Sequence, residues 1–256
     1  MCLILLAIKS HPTYKLIIAA NRDEFYERPT APAAFWADSP DVLAGRDLRA
    51  GGAWLGITKK GKIATLTNYR DPASLKSGAP SRGNLVSNYL SGHKIPADFL
   101  AGLEKKAGLY NGFNLIIGDT EDLYWYSNRS GESRRLTPGI YGLSNHLLDT
   151  PWPKVTRGKD AFRKVLSNQE NPSRDELFTI LADRTIPDDK SLPDTGVGLE
   201  RERMLSPIFI TSEIYGTRSS TLIMIDKDNH VIFMERTFDP ASDYQPMSTY
   251  EFFIEA

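Results

Sequence analysis

Cys2 and the tetrapeptide Asn21-Arg22-Asp23-Glu24 are the residues of this sequence best suited to chemistry. Removal of Met1, which a small second residue permits, would put a nucleophile and a base on one residue. The Cys2 thiol would attack a carbonyl while its own α-amine accepts the proton. Such an amine has an ordinary pKa of about 7.7–8.0 and is partly neutral near pH 7. Terminal amines are an established base for side-chain nucleophiles. Arg22 would favour a thiolate or hold a substrate carboxylate, and Asp23 would orient the terminal ammonium. Against this stands the commoner use of a lone cysteine in an apolar strand, as a small buried hydrophobe.

These residues need elements that bring them together. Residues 2–8 and 14–20 are both apolar, and the polar stretch Lys9 to Thr13 with Pro12 separates them. Two such runs across a short turn predict an antiparallel hairpin that folds Arg22 and Asp23 back beside Cys2. The lack of alternation predicts strands covered on both faces. A second hairpin is expected over Ala53–Ile57 and Lys62–Thr67, turning at Lys60-Gly61. Strands follow at Phe113–Gly118, Leu123–Ser127, Gly139–Leu143, Ile208–Thr211, Ser220–Asp226 and Val231–Arg236. Helices are expected from near Ser81 to Tyr89, over Pro96–Lys106, Trp152–Leu166 and Arg174–Ala182. Residues 28–49 read as a long irregular loop with strand fragments, and 72–80 and 187–198 as loops. Strands at both ends around a helical middle predict an α+β fold.

The 256 residues carry 31 Lys+Arg against 32 Asp+Glu, a net charge of -1, so no general basic field draws in nucleic acid or an anionic membrane. The single cysteine excludes an intrachain disulfide. The seven-residue apolar start lacks the flanks of a signal peptide, and nothing reaches the roughly 20 apolar residues of a membrane span. A cytoplasmic protein is the expectation. The four histidines are scattered without metal spacing, so no resident metal is expected. The four tryptophans read as core, with one or two of them suited to line an apolar pocket.

Met1-Cys2-Leu3-Ile4 with Ala20-Asn21-Arg22-Asp23-Glu24-Phe25 resembles the NRDE family, the family of transport and Golgi organisation protein 2. The resemblance continues through Gly51-Gly52-Ala53-Trp54-Leu55-Gly56, Thr67-Asn68-Tyr69-Arg70 and Ser81-Arg82-Gly83. It extends over Asn111-Gly112-Phe113-Asn114-Leu115 and Tyr141-Gly142-Leu143-Ser144-Asn145, and ends at Leu148-Asp149-Thr150-Pro151-Trp152-Pro153-Lys154. It implies one NRDE-family domain over residues 1–256. The N-terminal pattern is also similar to cysteine N-terminal nucleophile (Ntn) hydrolases, such as choloylglycine hydrolases and penicillin V acylase. Those enzymes separate the Arg and Asp that are adjacent here. The similarity implies an Ntn-hydrolase-like four-layer αββα sandwich.

The resemblance makes Cys2, Arg22, Asp23 and Asn145 the catalytic candidates. Asn21, Glu24, Asn68, Arg82, Arg218 and His146 are the substrate-binding candidates. Asn68 and Asn145 follow strands and suit an oxyanion, where losing one donor costs about 2.7–4 kcal/mol, although asparagine is commoner in turns. Arg218 resembles an arginine that related hydrolases bring to the pocket from a late strand. Two functions follow: a hydrolase of a non-peptide amide or thioester acting through Cys2, and a non-catalytic carrier of a small hydrophobic anion such as haem or acyl-CoA. A scaffold in secretory organisation is a weaker third. No cofactor is required, and haem enters only as cargo, with Cys2, His146 or a tyrosine as axial ligand.

Overall fold

A computed structural model describes residues 2–167, 171–242 and 245–255. Two antiparallel sheets lie face to face. In the first, strand order is β10 (Gly139–Leu143), β1 (Cys2–Ile8), β2 (Tyr14–Phe25), β11 (Tyr215–Asp226), β12 (His230–Thr237) and β13 (Met247–Phe253). In the second it runs in sequence order through β3 (Thr30–Trp36), β4 (Ser39–Asp47), β5 (Leu55–Thr58), β6 (Ile63–Asn68), β7 (Phe113–Gly118), β8 (Leu123–Ser127) and β9 (Ser133–Arg135).

The unbroken apolarity of β1 has a direct cause. Ile4, Leu6 and Ile8 pack into the core between the sheets with Ile57, Trp125 and Phe233. Leu3, Leu5 and Ala7 face α3 (Pro153–Leu166) and α4 (Arg174–Leu181), against Val155, Phe162 and Leu177. On the far side, α1 (Gly83–Ser91) and α2 (Pro96–Glu104) cover the second sheet through Val86, Tyr89 and Leu100. The layers are therefore α, β, β, α, as the resemblance implies. All four tryptophans are buried.

Several expectations require correction. Residues 28–49 hold two full strands, β3 and β4, where strand fragments in a long irregular loop were expected. Ala33, Trp36, Val42, Leu43 and Ala44 are buried among exposed neighbours. Pro32 misled the sequence reading; it sits on an edge strand, at a register shift between Ala31 and Ala34, where no ladder donor is missed. Ile208–Thr211 is not a strand, and only Thr211 makes a bridge, to Gly216. Its apolarity reflects burial between a helix and the sheet. The sequence reading also misses β9, β13 and α5 (Leu199–Leu205). Finally, β2 does not end at Ala20. It runs to Phe25, so Asn21, Arg22 and Asp23 lie inside the sheet opposite the polar residues Ser220, Ser219 and Thr217 of β11, and Glu24 lies opposite Gly216.

Two glycines fix how α1 meets the sheet. Gly51 has φ 73°, and a Cβ on Gly52 would lie 2.5 Å from the backbone carbon of Gly83. Both close the turn after Asp47, whose Oδ1 accepts from Arg49 N and Ala50 N. Gly52→Ala should push the start of α1 off the sheet and cost about 1–3 kcal/mol, the range for overpacking. Urea unfolding would measure the loss.

Candidate functional site

The hairpin places Cys2 directly opposite Arg22, at the open end of β1 and β2. Cross-strand partners share a face, so both look into the layer between the sheets. Arg22 and Asp23 are adjacent in a strand and point to opposite faces. Arg22 stacks 4.3 Å over Trp54, donates to Thr30 Oγ1 at 3.2 Å and lies 3.5 Å from Asp47 Oδ2. Asp23 accepts from Thr217 Oγ1 at 2.7 Å, and its carbonyl accepts from Tyr215 Oη at 2.9 Å. Ser144 Oγ donates to the Cys2 carbonyl at 3.0 Å, fixing the backbone of the candidate nucleophile.

A cavity of about 320 Å³ opens beside Cys2. Its lining combines charged side chains, Arg22, Arg28 and Arg82 with Asp23, Glu24 and Asp47, and apolar residues, Ala53, Trp54, Leu66, Ala79 and Pro80. A lining of both kinds suits an amphiphilic ligand. Asp47 bridges Arg22 and Arg28. Despite its partial burial, these arginines and the Ala50 N–H hold its carboxyl below the usual range. Burial pushes the Cys2 thiol up and the Asp23 charge adds to that, while a hydrogen bond from the Asp23 backbone and the positive charge of Arg22 both oppose it. Burial likewise raises Asp23, against the nearby cation of Lys154.

The structure gathers Cys2, Arg22, Asp23, Glu24, Asn68 and Arg82 around this cavity and leaves four candidates outside its lining. Asn21 faces the helices, donating to Leu181 O and Ile208 O and accepting from Ser220 Oγ, which makes it a tie between layers. Arg218 donates to the carbonyls of Phe25, Tyr26 and Arg28 and so braces the turn after β2. His146 lies between Tyr69 and Trp152, with Nδ1 2.9 Å from Thr150 Oγ1. Asn145 donates to the Asn68 carbonyl at 2.8 Å, positioning the end of β6. Arg82 holds Gly112 O at 2.9 Å.

Sequence reasoning missed Asp47, Arg28, Arg70, Lys154 and Glu202. Behind Asp23, Arg70 is paired with buried Glu202 and stacks 4.8 Å from Trp152. Lys154, at the second position of α3, is 3% exposed and has no hydrogen-bond partner among the described residues. Burial lowers its ammonium to about 8, against Asp23, which raises it. Both Arg70 and Lys154 close motifs already used for the resemblance, but nothing in a lysine after Trp-Pro signals burial. Among the described residues, no His, Cys, Asp or Glu cluster suits a metal ion, and no helix is long and apolar enough to cross a membrane.

The two facing sheets between helical layers, with a cysteine at the open end of the first hairpin, define an Ntn-hydrolase-like fold. A cysteine-to-alanine mutant of conjugated bile acid hydrolase from Clostridium perfringens superposes with a TM-score of 0.54 at 10% identity, covering 98% of this chain and 97% of that one. An arginine-to-leucine variant of the same hydrolase gives 0.56 at 10% identity, covering 99% and 98%. At that identity the likeness concerns the fold alone. Sequence comparison supplies the family. The family model described as Transport and Golgi organisation 2 matches residues 1–240. The chain is 37% identical to the mouse (Mus musculus) Transport and Golgi organization 2 homolog and 37% to the human (Homo sapiens) protein, covering 100% of each chain. A Saccharomyces cerevisiae protein is 27% identical, over 92% of this chain and 91% of its own. The chain belongs to the Transport and Golgi organisation 2 family.

Proposed function

We propose that this protein is an N-terminal cysteine hydrolase of a non-peptide amide or thioester whose substrate carries an anionic group. The observation that carries this reading is the placement of Cys2 opposite Arg22 in the lining of a cavity that combines guanidinium groups with apolar residues. Once Met1 is removed, the Cys2 α-amine takes the thiol proton as sulfur bonds to the substrate carbonyl carbon. The C–N or C–S bond then breaks, the leaving group takes the proton, and water hydrolyses the acyl-enzyme to regenerate the thiol. Asn68 faces the cavity and is the better placed oxyanion donor, with Asn145 holding its backbone. Arg82 and Arg28 bind the anionic part of the substrate.

A carrier role has one observation in its favour: burial keeps the Cys2 thiol protonated and less reactive. The same cavity then holds a small hydrophobic anion such as acyl-CoA or haem. Of the two named axial candidates for haem, Cys2 lines the cavity and His146 does not.

Intact mass of the native protein, with and without an electrophilic amide or thioester probe, separates these readings. The hydrolase loses Met1 and gains one adduct on Cys2. Retained Met1 with unlabelled Cys2 would sink it. For the carrier, titrating haem and long-chain acyl-CoA into wild type and Arg22→Ala should show weaker binding to the variant. Equal affinities would remove Arg22 from ligand recognition.

A further inference from the structure

Asp47 ends β4 at the cavity, and its two carboxylate oxygens serve different groups. Oδ1 accepts from Arg49 N at 3.1 Å and Ala50 N at 2.8 Å, and the Asp47 N–H donates to Gly52 O at 2.9 Å. These bonds tie the carboxylate to the tight turn that packs on the start of α1. Oδ2 accepts from Arg28 Nε and lies 3.5 Å from Arg22 Nη2. Thr30, the cross-strand partner of Asp47, accepts from Arg22 Nη1 at 3.2 Å. Trp54 covers the face of the same guanidinium at 4.3 Å. Arg22 thus grows from the first sheet, while its end is gripped by β3, β4 and the residue before β5.

We propose that Asp47 is a positioning residue of the cavity, a fixed carboxylate that holds the Arg22 guanidinium beside Cys2 and turns Arg28 into the same lining. Three features support this role. Cys2 and Arg22 are cross-strand partners on one face, so the arginine's long side chain reaches the nucleophile only where its end is held. Thr30 takes one Nη and leaves the fork free to pivot; the contact with Asp47 on the other Nη fixes its plane. Arg22 and Arg28 meet at one oxygen, Oδ2, and two guanidinium groups brought together repel unless an anion lies between them. Loss of the carboxylate therefore frees both arginines and drives them apart. Each guanidinium carries five N–H donors, and the contacts to Thr30 and Asp47 leave donors of the same forks for a substrate oxyanion. Asp47 thus selects for a substrate whose anionic group lies close to the reacting carbonyl.

The proposal rests on the reading of Cys2 as a reactive residue beside anion-binding arginines, but its test does not need turnover. Cys2 is the chain's one cysteine, so iodoacetate and iodoacetamide report on it alone. Both reagents meet the same thiolate, so changes in its acidity or in local opening cancel from the ratio of their rates. That ratio, divided by the ratio for free cysteine, should exceed one in wild type. Asp47→Asn keeps an acceptor for the turn and aims an amide donor at the two arginines. Losing a negative charge alone would raise the ratio. Releasing the arginines should lower it about tenfold, the equivalent of one hydrogen bond to a charged group. A cooperatively melting variant whose ratio holds or rises overturns the proposal, as does a wild-type ratio of one or less. If Asp47→Asn fails to fold, Asp47→Ser keeps a hydroxyl for the turn and must show the same fall. If neither folds, Thr30→Val removes the other grip on Arg22, and an unchanged ratio there overturns the clamp. Wild-type Cys2 that neither reagent labels would sink the hydrolase reading instead. Calorimetry with decanoate and decanamide then decides: Asp47→Asn should weaken decanoate about tenfold relative to decanamide, and equal effects on both, or no wild-type binding, overturn the proposal.

Discussion

Arg70→Met should destabilise the protein by about 3–5 kcal/mol, the range for breaking a buried ion pair from one side. Methionine keeps the aliphatic stem against Trp152 and removes only the charge and its donors. Glu202, 3% exposed, is then left with the neutral donors of Thr195 at 2.9 and 2.5 Å. Desolvation of its carboxylate is no longer offset by a guanidinium. The effect reaches further than one pair, since Glu202 ties α5 and the segment at Thr195 to the end of β6. At that end, Asn68 lines the cavity. Guanidinium-chloride unfolding gives the stability change. A loss under about 1 kcal/mol would mean the pair is wetter and less consequential than its burial implies.

Much of this arrangement was legible in the sequence because the relevant signals are local. The β1–β2 hairpin follows from two apolar runs and one short polar turn, and its register follows with it. Strand apolarity on both faces reported the two cores that β1 and β2 separate. What was not legible depends on partners remote in sequence. Asn21 reads as a site residue until Leu181 and Ile208 supply its acceptors, 160 and 187 residues away. Arg218 reads the same way until the three carbonyls of the β2–β3 turn appear against it. A polar tetrapeptide after an apolar run looks like a strand end. It stays in the sheet because β11 brings its own polar residues opposite. Adjacency of Arg22 and Asp23, which looked like a departure from the Ntn pattern, has a simple consequence in a strand. It turns the arginine side chain toward the layer between the sheets and the carboxylate toward the other face, where Thr217 meets it, although both residues reach the cavity.

That division makes Asp23 and Lys154 a testable unit. Asp23→Asn keeps the size of the side chain and an acceptor for Thr217, yet removes the carboxylate that most supports the Lys154 ammonium. The variant should lose about 3–5 kcal/mol at neutral pH, as expected when a buried charge is deprived of its counter-charge. The pH dependence has a definite sign. Lys154 is held to about 8, below its unfolded value of 10.5, so between these limits the unfolded chain binds the extra proton. The penalty for burying the ammonium is therefore complete below about pH 8 and relieved as pH rises beyond it. In Asp23→Asn the folded value drops further, so the deficit is largest at neutral pH and shrinks in alkali. Adding Lys154→Met to Asp23→Asn removes the stranded charge and should recover much of the loss. The two substitutions together should then cost less than the sum of each alone by about 1–3 kcal/mol. Denaturant unfolding of the four proteins at pH 7 and pH 9.5 measures both quantities. Strict additivity at both pH values would show that the two groups do not sense each other and that Lys154 is balanced elsewhere.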